Sequence, residues 1–494
     1  MAGILPRHAD HAAPMSRPWN DRPTVQDRAR YADARAAPYW LDALPARDPR
    51  PPLEGAQSAD LCIVGGGFTG LWAALHAKRE DPERDVVVLE AATVAFGASG
   101  RNGGFASASL THGLGNGLAR FPDELETLER LGVENLDGLA ADVERLGIDC
   151  GLERSGTISV ALEPHELAWL EEEAELARRF GHEAVVLDAA AARAQIDTPV
   201  ALGALWTKSG EALVDPARLA LGLLDAALAA GVRVHEHSAA LRLHEPDGVA
   251  DAVDVVTAAG RVRARRVLLG TSAFPPLLRR LSAYIAPVYD YVLTTEPLTP
   301  EQKASIGWDG RQGLADMGNQ FHYMRLTADD RILIGGYDAV YRYGGPVGTP
   351  WDDAGEETFA RLSEHFAAFF PQLASAGVRF SHRWGGAIDT CSRFSVFFGT
   401  AHRGKVSYAV GYTGLGVAAT RFGAQVALDL LDGRASEATR LKYVRAKPVP
   451  FPPEPIRSGV IQLTRSRLAA ADRNAGRRGL WLNALDRLRL GFDS

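Results

Sequence analysis

The chain has little cysteine: Cys62, Cys150 and Cys391 are the only three in 494 residues, and they lie far apart. This excludes a disulfide-stapled scaffold and leaves no zinc-ligand spacing. Positive charge is also not in excess. At a net charge of −7 the chain is not a general nucleic-acid binder, and no nucleic-acid partner is expected. No apolar run approaches membrane-spanning length, and the opening MAGILPRHADHAAPMSRPWN has no signal-peptide core. The expectation is a cytoplasmic protein without a transmembrane segment. There is no internal repeat of solenoid or propeller period, no Ser-His-Asp pattern and no metal-ligand cluster. The remaining composition, 46% hydrophobic and 23% charged, is that of an ordinary globular chain long enough for more than one domain.

The most informative stretch is ADLCIVGGGFTGLWAALHAKREDPERDVVVLEAAT, Ala59 to Thr93. The apolar run Leu61 to Val64, with Cys62 inside it, stops at three glycines. A helical apolar pattern follows at Leu71, Trp72, Ala74 and Leu75, and then a second strand, Val86 to Leu89, ends on Glu90. Gly65, Gly67 and Gly70 hold G-x-G-x-x-G spacing, with Gly66, Phe68 and Thr69 between them. The first glycine permits the turn, the second lets backbone approach a pyrophosphate, and the third lets helix and strand pack closely. N–H groups at the helix start attract phosphate. The acid at Glu90, followed by Ala91, is placed for ribose hydroxyls. Dinucleotide binding follows, but the motif alone does not separate NAD from FAD.

Residues 1–55 are broken by many prolines and predict an irregular arm that lies across the body, with Tyr39 and Trp40 as docking residues. Helices are expected at Glu124–Leu146, Glu166–Phe180, Pro216–Ala230 and Glu356–Phe369. Strands are expected at Ser155–Leu162, Val378–Phe380 and Val406–Val410, with a hairpin turning at Ala259-Gly260 before a strand at Arg266–Leu269. From Tyr284 to Tyr343 the pattern is alternating strand without intervening helix, including a hairpin of FHYMRL and RILIGGYD. The expected fold is α/β plus α+β: a discontinuous Rossmann-like nucleotide domain carrying an inserted, mainly antiparallel β substrate domain. The expected boundaries are 56–115, 205–278 and 386–445 for the first, and 116–204 with 279–385 for the second. A proline-rich linker and basic amphipathic tail, 446–494, follow. The tail is expected to dock on its own body or a second subunit, making a homodimer, in preference to an anionic membrane surface.

After Glu90 the loop GASGRNGG places Gly97, Ser99, Gly100, Arg101, Asn102, Gly103 and Gly104 together. So many small residues suit backbone passing close to a bulky planar ligand, with Arg101 and Asn102 offering polar contacts; the alternative is a flexible surface loop. Together with VGGGFTG, RILIGGYD and WGGAID…VGYTGLGV, this loop resembles the FAD-dependent oxidoreductases of the D-amino-acid-oxidase/glycine-oxidase/sarcosine-oxidase superfamily. It looks most like the γ-glutamylputrescine oxidase branch. The resemblance covers about Ala59 to Leu431. It implies a glutathione-reductase-type FAD domain, with FAD on the first glycine turn, Glu90 at the ribose and the GASGRNGG loop beside the flavin. It also implies a backbone contact to adenine near Ala239 and Ala240. The turn Thr413, Gly414, Leu415 and Gly416 would meet the pyrimidine end of the ring, where helix-start N–H groups favour the charge of reduced flavin.

The departures matter as well. Where glycine oxidase holds a carboxylate with arginine, alignment gives Ile388, and a second such arginine is replaced by Gly414. An amine, or a substrate whose charge lies further from the reacting carbon, fits better than a simple α-amino acid. The relatives' oxygen-activating lysine aligns with Ile334, so oxygen or another electron acceptor stays open. Their flavin-linking cysteine aligns near Gly385, so noncovalent FAD is expected, with Cys391 a bystander. The implied reaction is oxidation of a C–N bond by hydride transfer to flavin N5, then hydrolysis of the imine. Alternatives are a D-amino-acid or glycine/sarcosine-type dehydrogenase, an NAD-dependent dehydrogenase, and an FAD-binding scaffold without turnover. Pocket candidates are Tyr323 and Arg325 on one strand face, His322 on the other, and Trp384 and Tyr412; the alternative for each is an ordinary core residue.

Overall fold

The apolar runs that flank the glycine turn become neighbouring strands of one sheet. In the computed structural model, which describes residues 17–246 and 251–490, strand Gly55–Val64 pairs in parallel with Val86–Leu89 on one side and Gly260–Leu269 on the other. Arg233–His235 adds in parallel at one end and Val406–Val410 at the other. Residues on both faces of these strands are buried, as a parallel sheet covered on both sides requires. One face is covered by the helices Phe68–Glu80, Pro216–Ala229 and Gly416–Leu431. The expected hairpin at Ala259-Gly260 is present, but Arg266–Leu269 is not a separate strand: it continues the hairpin's second arm.

The second sheet is mainly antiparallel. Its order runs Phe380–Thr390, Ala286–Thr295, Ile332–Gly336, His322–Leu326, Gly313–Asp316, Thr157–Ala161, Gly203–Thr207 and Ala184–Asp188. Two domain edges therefore shift from their expected places. Gly203–Thr207 belongs to this sheet beyond 205, and the strand beginning at Phe380 runs past 386 to Thr390. The stretch expected to lack helices contains one, Pro300–Ile306, capped by Thr299 and started by proline at its first position. Helix Glu356–Phe369 packs Phe359, Phe366 and Phe369 onto one sheet face.

The described part of the arm does cross the body, though not irregularly. It forms short helices at Val25–Ala29 and Tyr39–Asp42, and Arg35–Ala36 pairs with the Phe380–Thr390 strand. Tyr39 and Trp40 are buried, as expected of docking residues. Residues 1–16 lie outside the described part. The tail folds back on its own chain through helices Ile456–Asp472 and Leu480–Arg487. Among the described residues no helix is long and apolar enough to cross a membrane.

Candidate functional site

A cavity of about 1020 Å³ runs from the first glycine turn, between the two sheets, to the tail helices. Its dinucleotide end is shaped by glycines whose missing side chains have visible consequences. Gly65 adopts φ +112, and a methyl there would stand 2.4 Å from the Gly270 carbonyl oxygen. At Gly70 a methyl would meet the Gly65 carbonyl at 1.9 Å, so helix and strand touch only because it is absent. Gly65, Gly67, Phe68 and Thr69 line the cavity, whereas Gly66 and Gly70 support it from behind. The Glu90 carboxylate lines it too. It accepts from the N–H groups of Gly66 (2.7 Å) and Ala92 (2.8 Å), and burial pushes its pKa up. Ala91 and Ala240 are part of the same wall.

The GASGRNGG loop is rigidly held. Two buried indoles donate to its carbonyls, Trp40 to Asn102 and Trp384 to Arg101, each at 2.9 Å. The Ser99 hydroxyl accepts from Phe68 N–H at 2.9 Å and so ties the loop to the helix start. Arg101 donates to the carbonyls of Phe96 (2.8 Å) and Gly385 (3.1 Å) and pairs with Asp352 at 3.3 Å. The Asn102 amide donates to Ala98 O (2.9 Å) and accepts from Gly104 N–H (2.8 Å). These two polar side chains organise the loop and also line the cavity. Ser99, Arg101, Asn102 and Gly103 line the cavity; Gly100 and Gly104 do not, although a side chain at either would strike backbone.

Thr413, Gly414, Leu415 and Gly416 line the opposite end, with Tyr412. Thr413 is held at φ +52, an uncommon conformation for a β-branched residue. The strain is countered from below by Asp389, whose carboxylate accepts from Gly411 N–H at 2.6 Å and also interacts with the N–H groups of Tyr412 and Thr413. Burial raises the Asp389 pKa to about 6 despite those bonds. The hydroxyls of Tyr412 and Thr69 meet at 3.1 Å, joining the two glycine turns.

Of the strand candidates, only Tyr323 reaches the cavity. Its ring lies against Gly103 and across Gly335, where added methyls would be 2.5 and 2.4 Å away, and its hydroxyl donates to Asp290 at 2.5 Å. Arg325 shares that face but lies below Trp40, donating to the carbonyls of Val214 (2.6 Å) and Gly104 (3.3 Å). His322 points to the opposite face, buried between Asp316 (2.6 Å) and His365 (2.8 Å). Trp384 is fully buried behind the loop. Arg325, His322 and Trp384 are thus corrected to structural residues, because packing partners on the far side claim them.

Besides Glu90, four carboxylates line the cavity that the sequence motifs do not single out: Asp290, Asp338, Asp389 and Glu211. A signal was present in YDYVL and WGGAIDT, where one acid interrupts an apolar strand. Asp290 also accepts from Gly336 N–H at 3.0 Å, and burial raises its pKa to about 6. Glu211 forms no ion pair among the described residues; burial raises its pKa to about 7, with the Ser107 hydroxyl opposing. No cysteine lines the cavity, and Cys391 is buried with its thiol directed at the Ser395 carbonyl. No metal-binding cluster exists among the described residues.

Residues 60–430 match the family model described as FAD dependent oxidoreductase. The chain is 35% identical over 396 residues to the γ-glutamylputrescine oxidoreductase of Escherichia coli K12, covering 78% of this chain and 86% of that protein. Its fold matches glycine oxidase from Geobacillus kaustophilus with a TM-score of 0.62 at 20% identity, over 79% of this chain and 99% of that one. An L-amino acid deaminase from Proteus vulgaris, lacking its specific insertion, matches with a TM-score of 0.61 at 18% identity, over 80% and 94%. The glycine cradles and the thiol-free cavity fit a noncovalently held FAD. The chain belongs to the FAD-dependent oxidoreductase family, and FAD is its cofactor.

Proposed function

We propose that this enzyme oxidises the C–N bond of an amine or N-substituted amino compound to an imine, which water then hydrolyses. Bound FAD supplies the acceptor for the hydride that leaves the substrate carbon. The residues expected to hold it are the Gly65–Gly70 turn, Glu90, the Ser99–Gly104 loop and the Thr413–Gly416 turn. The observation that carries the proposal is the Tyr323–Asp290 pair, a buried carboxylate facing the cavity beside the loop expected to flank the flavin.

An amine arrives protonated, and its nitrogen must lose that proton before the lone pair can form the C=N bond. Asp290, with its pKa near 6, is ionised at neutral pH and able to take it. Tyr323 fixes the carboxylate and, pressed between Gly103 and Gly335, narrows the space in which the substrate carbon can lie. The E. coli relative is named for γ-glutamylputrescine, and γ-glutamylated amines are the first substrates proposed here. Oxygen or another acceptor in the cytoplasm would reoxidise the cofactor.

The test is anaerobic mixing of the holoenzyme with γ-glutamylated diamines, free polyamines, sarcosine, glycine and D-amino acids. Bleaching of the flavin band near ~450 nm is expected with at least one amine. Peroxide release in air then identifies oxygen as acceptor. A flavin that stays oxidised with every amine overturns the proposal.

A further inference from the structure

The linker Lys447–Pro455 and the tail helices lie past the family-matched residues, yet they close the cavity. Val460, Ile461, Thr464 and Leu468 face it as one stripe of helix Ile456–Asp472. This helix is fastened at both ends. Before its start, Glu454 accepts from the Tyr341 hydroxyl (2.7 Å) and Gly344 N–H (3.1 Å), and Gln462 donates to the Tyr341 carbonyl at 3.0 Å. At its end Asp472 accepts from the N–H groups of Asn319 (3.0 Å) and Gln320 (2.9 Å) and from Arg17 (2.9 Å). Asn319 and Gln320 themselves line the cavity and lead into the strand of Tyr323. A segment held in this way is a wall of the site.

That wall carries a cation. Among the described residues only two guanidinium groups line the cavity, those of Arg101 and Arg465. Arg101 is consumed by its loop, as shown above. Arg465 pairs with Asp338 at 2.8 Å, but the same carboxylate also takes Arg361 and the Thr358 hydroxyl. The nearby Asp21 is held by Tyr337 and His365. Asp21 also lies within electrostatic reach of Arg361 and balances it, while Arg465 gives Asp338 one guanidinium nitrogen and is the member that faces the cavity. At the other end, Ile388 and Gly414 line the cavity without charge.

We propose that Arg465, on the C-terminal wall, is a specificity-determining residue that binds a carboxylate at the end of the substrate remote from the reacting C–N bond. This rests on the amine-oxidising reading above. A planar, always-charged guanidinium suits bidentate carboxylate recognition, and its pairing with Asp338 holds it in place for that role.

The test compares wild type, Arg465→Gln and Arg465→Lys as holoenzymes on a γ-glutamylated diamine and on the same diamine without the γ-glutamyl group. The preference for the carboxylated substrate, as the ratio of kcat/KM values, is expected to fall at least tenfold in Arg465→Gln and to recover in part in Arg465→Lys. Calorimetric binding of glutarate to the oxidised holoenzyme should weaken by a similar factor, a readout that needs no turnover. An unchanged ratio together with unchanged glutarate binding overturns the inference while leaving amine oxidation standing. If no amine reduces wild-type flavin, the functional reading fails instead, and glutarate binding alone then decides whether Arg465 holds a carboxylate. Should Arg465→Gln not fold, Arg465→Lys carries the comparison.

Discussion

Replacing Tyr323 by phenylalanine removes one hydroxyl from a buried carboxylate and leaves the ring that packs on Gly103 and Gly335. Asp290 then keeps the Gly336 N–H bond at 3.0 Å and loses the 2.5 Å bond from Tyr323. A hydrogen bond to a charged group is worth about 1.5–3 kcal/mol, which raises the Asp290 pKa by about one to two pH units. Its starting value near 6 reflects burial, opposed first by the Tyr323 bond. Because the ionised form is the proton acceptor, the rate falls as pH drops through that pKa, and the acid limb moves upward in Tyr323→Phe. The assay is the rate of anaerobic flavin reduction against pH. Glu211, near 7, lies in the same cavity, so the position of the limb does not by itself identify the group. Its displacement does. An acid limb at the same pH in wild type and Tyr323→Phe, or one that persists in Asp290→Asn, refutes the assignment of Asp290 as the proton acceptor.

Gly70→Ala places a methyl 1.9 Å from the Gly65 carbonyl oxygen, where only backbone movement relieves the clash. A cost of about 1–3 kcal/mol and a sharply lower flavin content are expected, read from the 450-to-280 nm absorbance ratio. Glu211 has a folded pKa of about 7 against an ordinary 4.5, so the stability it lends at low pH is lost as pH rises through that window. Glu211→Gln should therefore match wild type near about pH 4 and exceed it above about pH 7, by at most about 3 kcal/mol, in thermal unfolding; a constant difference across pH contradicts the assignment. Acid precipitation of the holoenzyme should release all yellow colour into the supernatant, because no cysteine reaches the cavity; colour retained in the pellet contradicts noncovalent binding.

Much of the nucleotide half was legible in the chain because local rules enforce it. Gly65, Gly70 and Glu90 do their work within one strand–turn–helix–strand unit, and their spacing reports contacts a few residues apart. Tyr323 and His322 show the opposite case. Alternation separates them onto two faces of one strand, but nothing within that strand says which face meets the cavity. The answer came from helix Glu356–Phe369 and the arm residues, which bury His322 against His365. Arg325, a pocket candidate by its strand face, is covered by Trp40, from a segment 285 positions earlier.

What the amino-acid order settled alone was the strand–glycine-turn–helix–strand unit and the pairing of an α/β domain with a mainly antiparallel one. These depend on backbone conformation and burial patterns that neighbouring residues impose. Only the folded chain decided which acids face the cavity, and that a basic tail is its wall. Asp290, Glu211 and Arg465 acquire their chemistry from groups tens to hundreds of residues away, through desolvation and charge pairing that exist only once the sheets have closed on one another.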